Sequence, residues 1–151
     1  MVSIRPATVE DAPAITALLL QLGYPETEDT IHRRLAALCG KTDSTVLAAE
    51  DGHHRITGCA HVLIDARLAE GRRGEISSIV VDARVRSRGT GARLVQAAAA
   101  WLQARNIARL RIRCNARRDQ AHRFYETLGF RLTKTQNVFD IPVDALSDRP
   151  D

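Results

Sequence analysis

The sequence predicts a mixed α/β domain: a central, mostly antiparallel sheet with helices on both faces. Three observations predict it. Runs with apolar residues at every second position alternate with runs at helical spacing. Three consecutive strand-like runs stand together in the middle of the chain, and the last of them is followed by strand–helix alternation. The resulting order, β-α-α-β-β-β-α-β-α-β(β), combines hairpin-joined strands with crossover connections, and crossovers place helices on the faces of a sheet.

The elements follow in order. Ser3 to Arg5 reads as a first strand. Thr8 and Asp11 form a variant capping box, and Ile15, Leu18, Leu19 and Leu22 follow at helical spacing, so Val9 to Leu22 is a helix stopped by Gly23-Tyr24-Pro25. Ile31, Leu35 and Leu38 mark a second helix ending at Gly40. Its start carries Glu26, Glu28 and Asp29, where the helix dipole favours acidic side chains. Thr45 to Ala49 and Arg55 to Ile64 read as strands joined by the turn Glu50-Asp51-Gly52-His53-His54, whose histidines are expected in solvent. Asp65 to Gly74 reads as a polar connection, and Glu75 to Val81 as the central strand.

Asp82 breaks that strand into a loop crowded with arginine and glycine, and the chain restarts as a helix running to Ala104. Leu110, Ile112 and Cys114 then alternate with Arg109, Arg111 and Arg113, a strand pattern. After the turn Asn115 to Arg118, Asp119 begins a helix in which Ala121, Phe124, Tyr125 and Leu128 share a face, with Gly129 as its stop. Phe130 to Gln136 and Val138 to Ile141 read as late strands.

The 151 residues suit one domain, expected over residues 1–146, with 147–151 a frayed tail. Hydrophobic content of 44% and charged content of 26% fit a globular chain. No apolar run is long enough to span a bilayer, and the opening MVSIRPATVEDA lacks the pattern of a secretory signal. The cytoplasm is the expected compartment, and no membrane partner is expected. Cys39, Cys59 and Cys114 show neither a short pairing nor metal-ligand spacing, so they are expected as small apolar residues and no metal site is expected. The net charge of +4 comes from arginine, since Lys41 and Lys134 are the only lysines. Such a balance suits an anionic ligand. The arginines are scattered, and three Phe, two Tyr and one Trp offer little stacking, which disfavours a nucleic-acid binder.

A strand feeding a helix through a basic, Gly-rich turn is an anion site. The helix N-terminus presents unsatisfied amides at the positive end of its dipole, and glycine lets a phosphate approach the backbone. Three phosphate loops compete for this turn. A nucleoside-triphosphate loop needs Gly-Lys followed by Ser or Thr, and no lysine lies near Gly89 or Gly91. A dinucleotide loop needs a third small residue where Leu94 stands, and an acidic residue about twenty positions on, where the chain has Ala108-Arg109. The third fits. Val81 to Gly91 (VDARVRSRGTG) resembles the acyl-coenzyme A loop of the GNAT superfamily of N-acyltransferases, R/Q-x-x-G-x-G/A. Asn115 and then Ala121-His122-Arg123-Phe124-Tyr125-Glu126-Thr127-Leu128-Gly129-Phe130 match that family's second motif, N followed by A-x-x-F-Y-x-x-x-G-F. Ala83 stands where members often carry proline, and Ser87 where they often carry glycine; neither change removes the arginine or the glycine pair.

The resemblance implies a sheet that splays beside the central strand, with the pantetheine of acetyl-CoA in the gap, bonded to the backbone of Ile79 and Val81. It implies that the amides of Arg86, Ser87, Arg88, Gly89, Thr90, Gly91 and Ala92 hold the pyrophosphate, with Asn115, Phe124 and Tyr125 completing the cofactor site. It implies that Tyr125 protonates the departing thiolate. An amine must lose a proton before it attacks, and Glu75 stands where several members keep a glutamate base, with His61, Asp65 or a water chain in reserve. The implied activity is direct transfer from acetyl-CoA to a primary amine in a ternary complex. The acidic residues Glu26, Glu28 and Asp29 lean towards a small cationic acceptor. A protein amine, and a non-catalytic acyl-CoA sensor, remain alternatives, and homodimers are common among relatives.

Overall fold

A computed structural model describes residues 1–86, 88–114 and 116–147. Met1–Arg113 forms one compact unit, and the residues from Cys114 onward form a second.

The first unit is built on five strands: β1 (Ser3–Pro6), β2 (Ser44–Glu50), β3 (Ile56–Arg67), β4 (Gly71–Val81) and β5 (Leu110–Ile112). They lie in chain order across the sheet, antiparallel from β1 to β4, with β4 and β5 parallel. A mixed, mostly antiparallel sheet is therefore present as expected. Its helices are α1 (Ala12–Leu22), α2 (Glu28–Leu38) and α3 (Thr90–Gln103).

Alternation along the strands divides the sheet into two apolar faces. On one, Ala48, Cys59 and Val80 pack with Ile15 and Leu18 of α1 and Ile31 and Leu35 of α2. On the other, Ala60, Val62 and Ile76 lie on the side of Gly58 and Gly74, whose missing side chains make room for Thr90, Leu94 and Leu102 of α3. Burial of the Cys59 thiol pushes its pKa up to about 12, so it behaves as the small apolar residue its spacing suggested.

Helix ends follow the sequence closely. Arg5 bridges Asp11, whose side chain also accepts from the Thr8 amide at 2.8 Å, so the first turn from Val9 is a 3-10 turn leading into α1. Gly23, at φ +100°, closes α1 in the left-handed conformation.

The polar stretch expected as a connection is mostly strand. β3 runs to Arg67 and β4 begins at Gly71, with Asp65 opposite Arg73 and Ala66 opposite Arg72. Charged side chains hid the alternation, because here the open sheet face is satisfied by ion pairs and not by apolar packing.

The second unit contains α4 (Asp119–Thr127), which ends in a Schellman turn. Phe130 N donates to Tyr125 O and Gly129 N to Glu126 O, both at 3.0 Å, with Gly129 at φ +97°. The late strands expected over Phe130–Gln136 and Val138–Ile141 are absent: residues 130–142 carry no regular secondary structure. A strand exists by its ladder, and these residues pair with none among the described residues. Leu132, Val138 and Phe139 are exposed.

Candidate active site

β4, the loop after it and α3 form the centre of the candidate site. The β4–β5 ladder covers only Gly74, Glu75 and Ile76, opposite Leu110, Arg111 and Ile112. From Ser77 to Val81 the strand has no partner on that side among the described residues. Asp82 N donates to Thr57 O at 2.8 Å across the β3 side. Backbone direction alternates along a strand, so the amides and carbonyls of Ile79 and Val81 face the open edge, where the two amides and the Ile79 carbonyl can bond an extended ligand. Arg86 Nε reaches the Val81 carbonyl at 3.3 Å.

The register of β4 changes within this region. His61 pairs with Ser78 but Val62 with Ile76, so Ser77 is an extra residue, a β-bulge at the point where the β5 ladder ends.

Asp82 anchors the loop. Its carboxylate accepts from Arg84 N at 3.1 Å and from the Arg84 guanidinium at 2.8 Å. Those bonds, first the side chain and then the amide, hold its carboxyl well below the usual carboxylate range. Gln21 of α1 clamps the same point, with Nε2 3.4 Å from Asp82 and Oε1 accepting from Ala83 N at 2.9 Å. Neither Asp82 nor Gln21 was singled out from the sequence as a site residue. An acidic residue closing an apolar strand before a basic loop was the available signal.

Gly89 caps α3 at φ +83° and brings no side-chain cap. The first turn, Thr90, Gly91 and Ala92, therefore presents backbone amides at the positive end of the dipole. Open space lies where a Gly89 side chain would stand. Arg86 and Arg88 are exposed beside it. The donor set of amides and guanidinium groups fits a pyrophosphate, and the open β4 edge fits a pantetheine. Ser87 lies outside the described residues.

Glu75 is one of the more enclosed acids of the site. Its Oε1 accepts from Arg111 Nε at 3.2 Å and from Arg113 Nε at 2.9 Å. The other nitrogens of Arg111 reach Glu70 at 2.9 Å and Asp65 at 3.3 Å. His61 lies two residues along β3 from Leu63, which stands opposite Glu75. Its Nδ1 is 2.9 Å from Ser77 Oγ, and burial pulls its pKa down.

In the second unit, Tyr125 on α4 is flanked by Phe124 at 5.5 Å and Phe130 at 6.0 Å between ring centroids. Burial, then the Cys114 sulfur, push its phenol up, with Arg118 opposing. It stays protonated at neutral pH. Asn115 lies outside the described residues. Among the described residues, no three His, Cys, Asp or Glu side chains gather to hold a metal, and no helix is long and apolar enough to cross a membrane.

The model of the acetyltransferase (GNAT) family matches residues 12–130. Glucosamine 6-phosphate N-acetyltransferase 1 of Oryza sativa subsp. japonica is 31% identical over 134 residues, 84% of this chain and 79% of that protein. Solved acetyltransferase structures share the fold. Glucosamine-6-phosphate N-acetyltransferase from Arabidopsis thaliana superposes with a TM-score of 0.81 at 21% identity, covering 94% of this chain and 99% of that one. An aminoglycoside antibiotic 6'-N-acetyltransferase from Acinetobacter baumannii does so with a TM-score of 0.83 at 18% identity, covering 95% and 99%.

Proposed function

This chain belongs to the GNAT acetyltransferase family, and from that premise we propose that it transfers the acetyl group of acetyl-CoA directly to a small primary amine in a ternary complex. The observation that carries the reading is the continuity of β4's open edge with the uncapped N-terminus of α3. One element thus offers backbone partners for a pantetheine and amides for a pyrophosphate.

Ile79 and Val81 bond the pantetheine through their main chain. Arg86, Ser87, Arg88, Gly89, Thr90, Gly91 and Ala92 hold the pyrophosphate, while Asn115 and Phe124 complete the cofactor site. An amide of the β4 edge polarises the thioester carbonyl, stabilising the charge that grows on its oxygen. Tyr125 gives its proton to the departing sulfur. Its raised pKa supports that role, because the proton is present when the leaving group needs it.

Two side chains compete for the base. Glu75 sits on the open face, with its carboxylate shared between two guanidinium groups. His61 is held at Nδ1 alone. Similarity to a glucosamine 6-phosphate N-acetyltransferase supports a small amine as acceptor and makes glucosamine 6-phosphate the first to test. The protein works in the cytoplasm in this reading, as a monomer or homodimer.

Release of free thiol from acetyl-CoA is measured against a panel of amino sugars, aminoglycosides, polyamines and peptide N-termini. Release driven by a small amine supports the proposal. Tight acetyl-CoA binding with no release against any acceptor would leave a sensor in its place.

A further inference from the structure

Three buried side-chain polar atoms among the described residues have no hydrogen-bond partner: Ser44 Oγ, His61 Nε2 and Arg73 Nε. Ser44 and His61 line one open pocket of about 240 Å³. A buried polar group without a partner is costly, so two around one pocket mark a place where a polar ligand is expected. Ser44 is only 8% exposed. It stands opposite Leu63 on β3, two positions along from His61 and on the same face. Leu38, Leu63 and Ile64 give the pocket apolar walls, and Lys41 and Asp43 bring the two charges.

We propose that this pocket receives the acceptor amine and that His61 Nε2, with the ring oriented by Ser77, is the base that takes its proton. The proposal rests on the transferase reading above. Ser77 is the bulge residue at the first position where β4 loses its β5 partner. The Nδ1···Oγ contact of 2.9 Å therefore ties His61 to the start of the open edge along which the thioester lies in that reading. With Nδ1–H donating to Ser77 Oγ, the lone pair of the buried Nε2 is left without a partner among the described residues.

The surrounding charges suit that role. α1, which packs on this face, carries no ionisable side chain, and those of α2 (Glu28, Asp29, His32, Arg33 and Arg34) are exposed. On β4 and β3, Glu75 and Asp65 are held by arginines. Asp43 and Lys41 remain at the pocket, the first able to attract an ammonium group. Burial keeps His61 neutral and so ready to accept a proton at neutral pH.

The proton balance closes. The ammonium gives one proton to Nε2, and the freed nitrogen pair forms the C–N bond. The C–S bond breaks with its pair on sulfur, which takes the Tyr125 proton. The second proton lost from nitrogen restores the phenol through solvent, and His61 releases its own to water.

The test uses glucosamine 6-phosphate, or whichever amine of the panel turns over fastest, beside methoxyamine, which is unprotonated at neutral pH. With the alkyl amine, His61→Gln should lower kcat roughly a hundredfold and leave the KM for acetyl-CoA unchanged. With methoxyamine, its turnover should stay within a few-fold of the parent protein. Ser44→Ala should raise the acceptor KM and spare kcat.

Long-range proton–nitrogen NMR of the unaltered protein should show His61 as the Nδ1–H tautomer. Ser77→Ala should lose that preference and Ser77→Thr should keep it. An Nε2–H tautomer, or equal loss with both acceptors, overturns the base; so does full activity of His61→Gln. Failure of the unaltered protein to release thiol with every amine overturns instead the transferase reading, and the base with it.

Discussion

Glu75 and Arg111 stand directly opposite each other on the parallel strands β4 and β5, with Oε1 of the acid 3.2 Å from Nε of the arginine. Arg111 is only 13% exposed and spends its remaining nitrogens on Glu70 and Asp65. Removing a cation so enclosed takes away the one group that joins three carboxylates, which keep only Arg113, Arg73 and Arg67 as separate partners. Arg111→Leu should therefore lower stability by about 3 kcal/mol, seen as a lower urea midpoint. Glu75→Gln keeps an acceptor for both arginines and should cost less. If Glu75→Gln abolished turnover at full stability, Glu75 and not His61 would be the base.

Gly74 sets how closely α3 can lie on the sheet. A Cβ built there falls 2.3 Å from Leu102 Cδ1 and 2.6 Å from Cδ2, and Leu102 is 2% exposed with little room to retreat. Gly74→Ala should destabilise by about 1–3 kcal/mol through overpacking. Combined with Leu102→Ala, the loss should be smaller than the sum of the two. Chemical denaturation of the three variants checks this.

Gly89 tests the pyrophosphate site. At φ +83° a side chain is strained by about 1–2 kcal/mol, and a branched one would also fill the open space before the first turn of α3. Gly89→Val should abolish acetyl-CoA binding in calorimetry while circular dichroism still reports a folded chain. Retained binding would remove this loop from the cofactor site.

Tyr125 makes a kinetic prediction. Tyr125→Phe should lower turnover far more than acetyl-CoA affinity, because its hydroxyl acts only as the thiolate departs. The sign of its pH effect follows from burial. A donor must be protonated, and the raised pKa keeps Tyr125 so above the ordinary phenol value near 10. Any alkaline loss of kcat due to this group should therefore begin above about 10 and vanish in the Phe variant.

Much of this was legible in the residues. The glycine pair and missing lysine pointed to the family that the chain belongs to, and helical spacing placed α1, α3 and α4. Gly23 and Gly129 close their helices as residues of positive φ. The hairpin from Asp65 to Arg73 was hidden because its alternation is ionic, and hydropathy cannot distinguish a salted sheet face from a loop. The expected strands after Gly129 had apolar alternation but no ladder among the described residues, and a strand is a property of two chains side by side. Ser77 was opaque for another reason: in Ile76-Ser77-Ser78-Ile79, nothing local marks which serine is the extra one.

That extra serine works as a half-step in the weave. Before it, even-numbered residues of β4 turn towards α3, as Gly74 does; after it they turn towards α1 and α2, as Val80 does. Deleting Ser77 would leave the composition of the strand nearly intact but exchange inside for outside in one of its halves. Either Val80 would leave the α1/α2 core, or the side chain of Arg73 or Glu75 would meet Leu102 where Gly74 now yields. One inserted residue thus lets a single strand serve two helical layers and separates the half that carries the ion pairs from the half that carries the open edge.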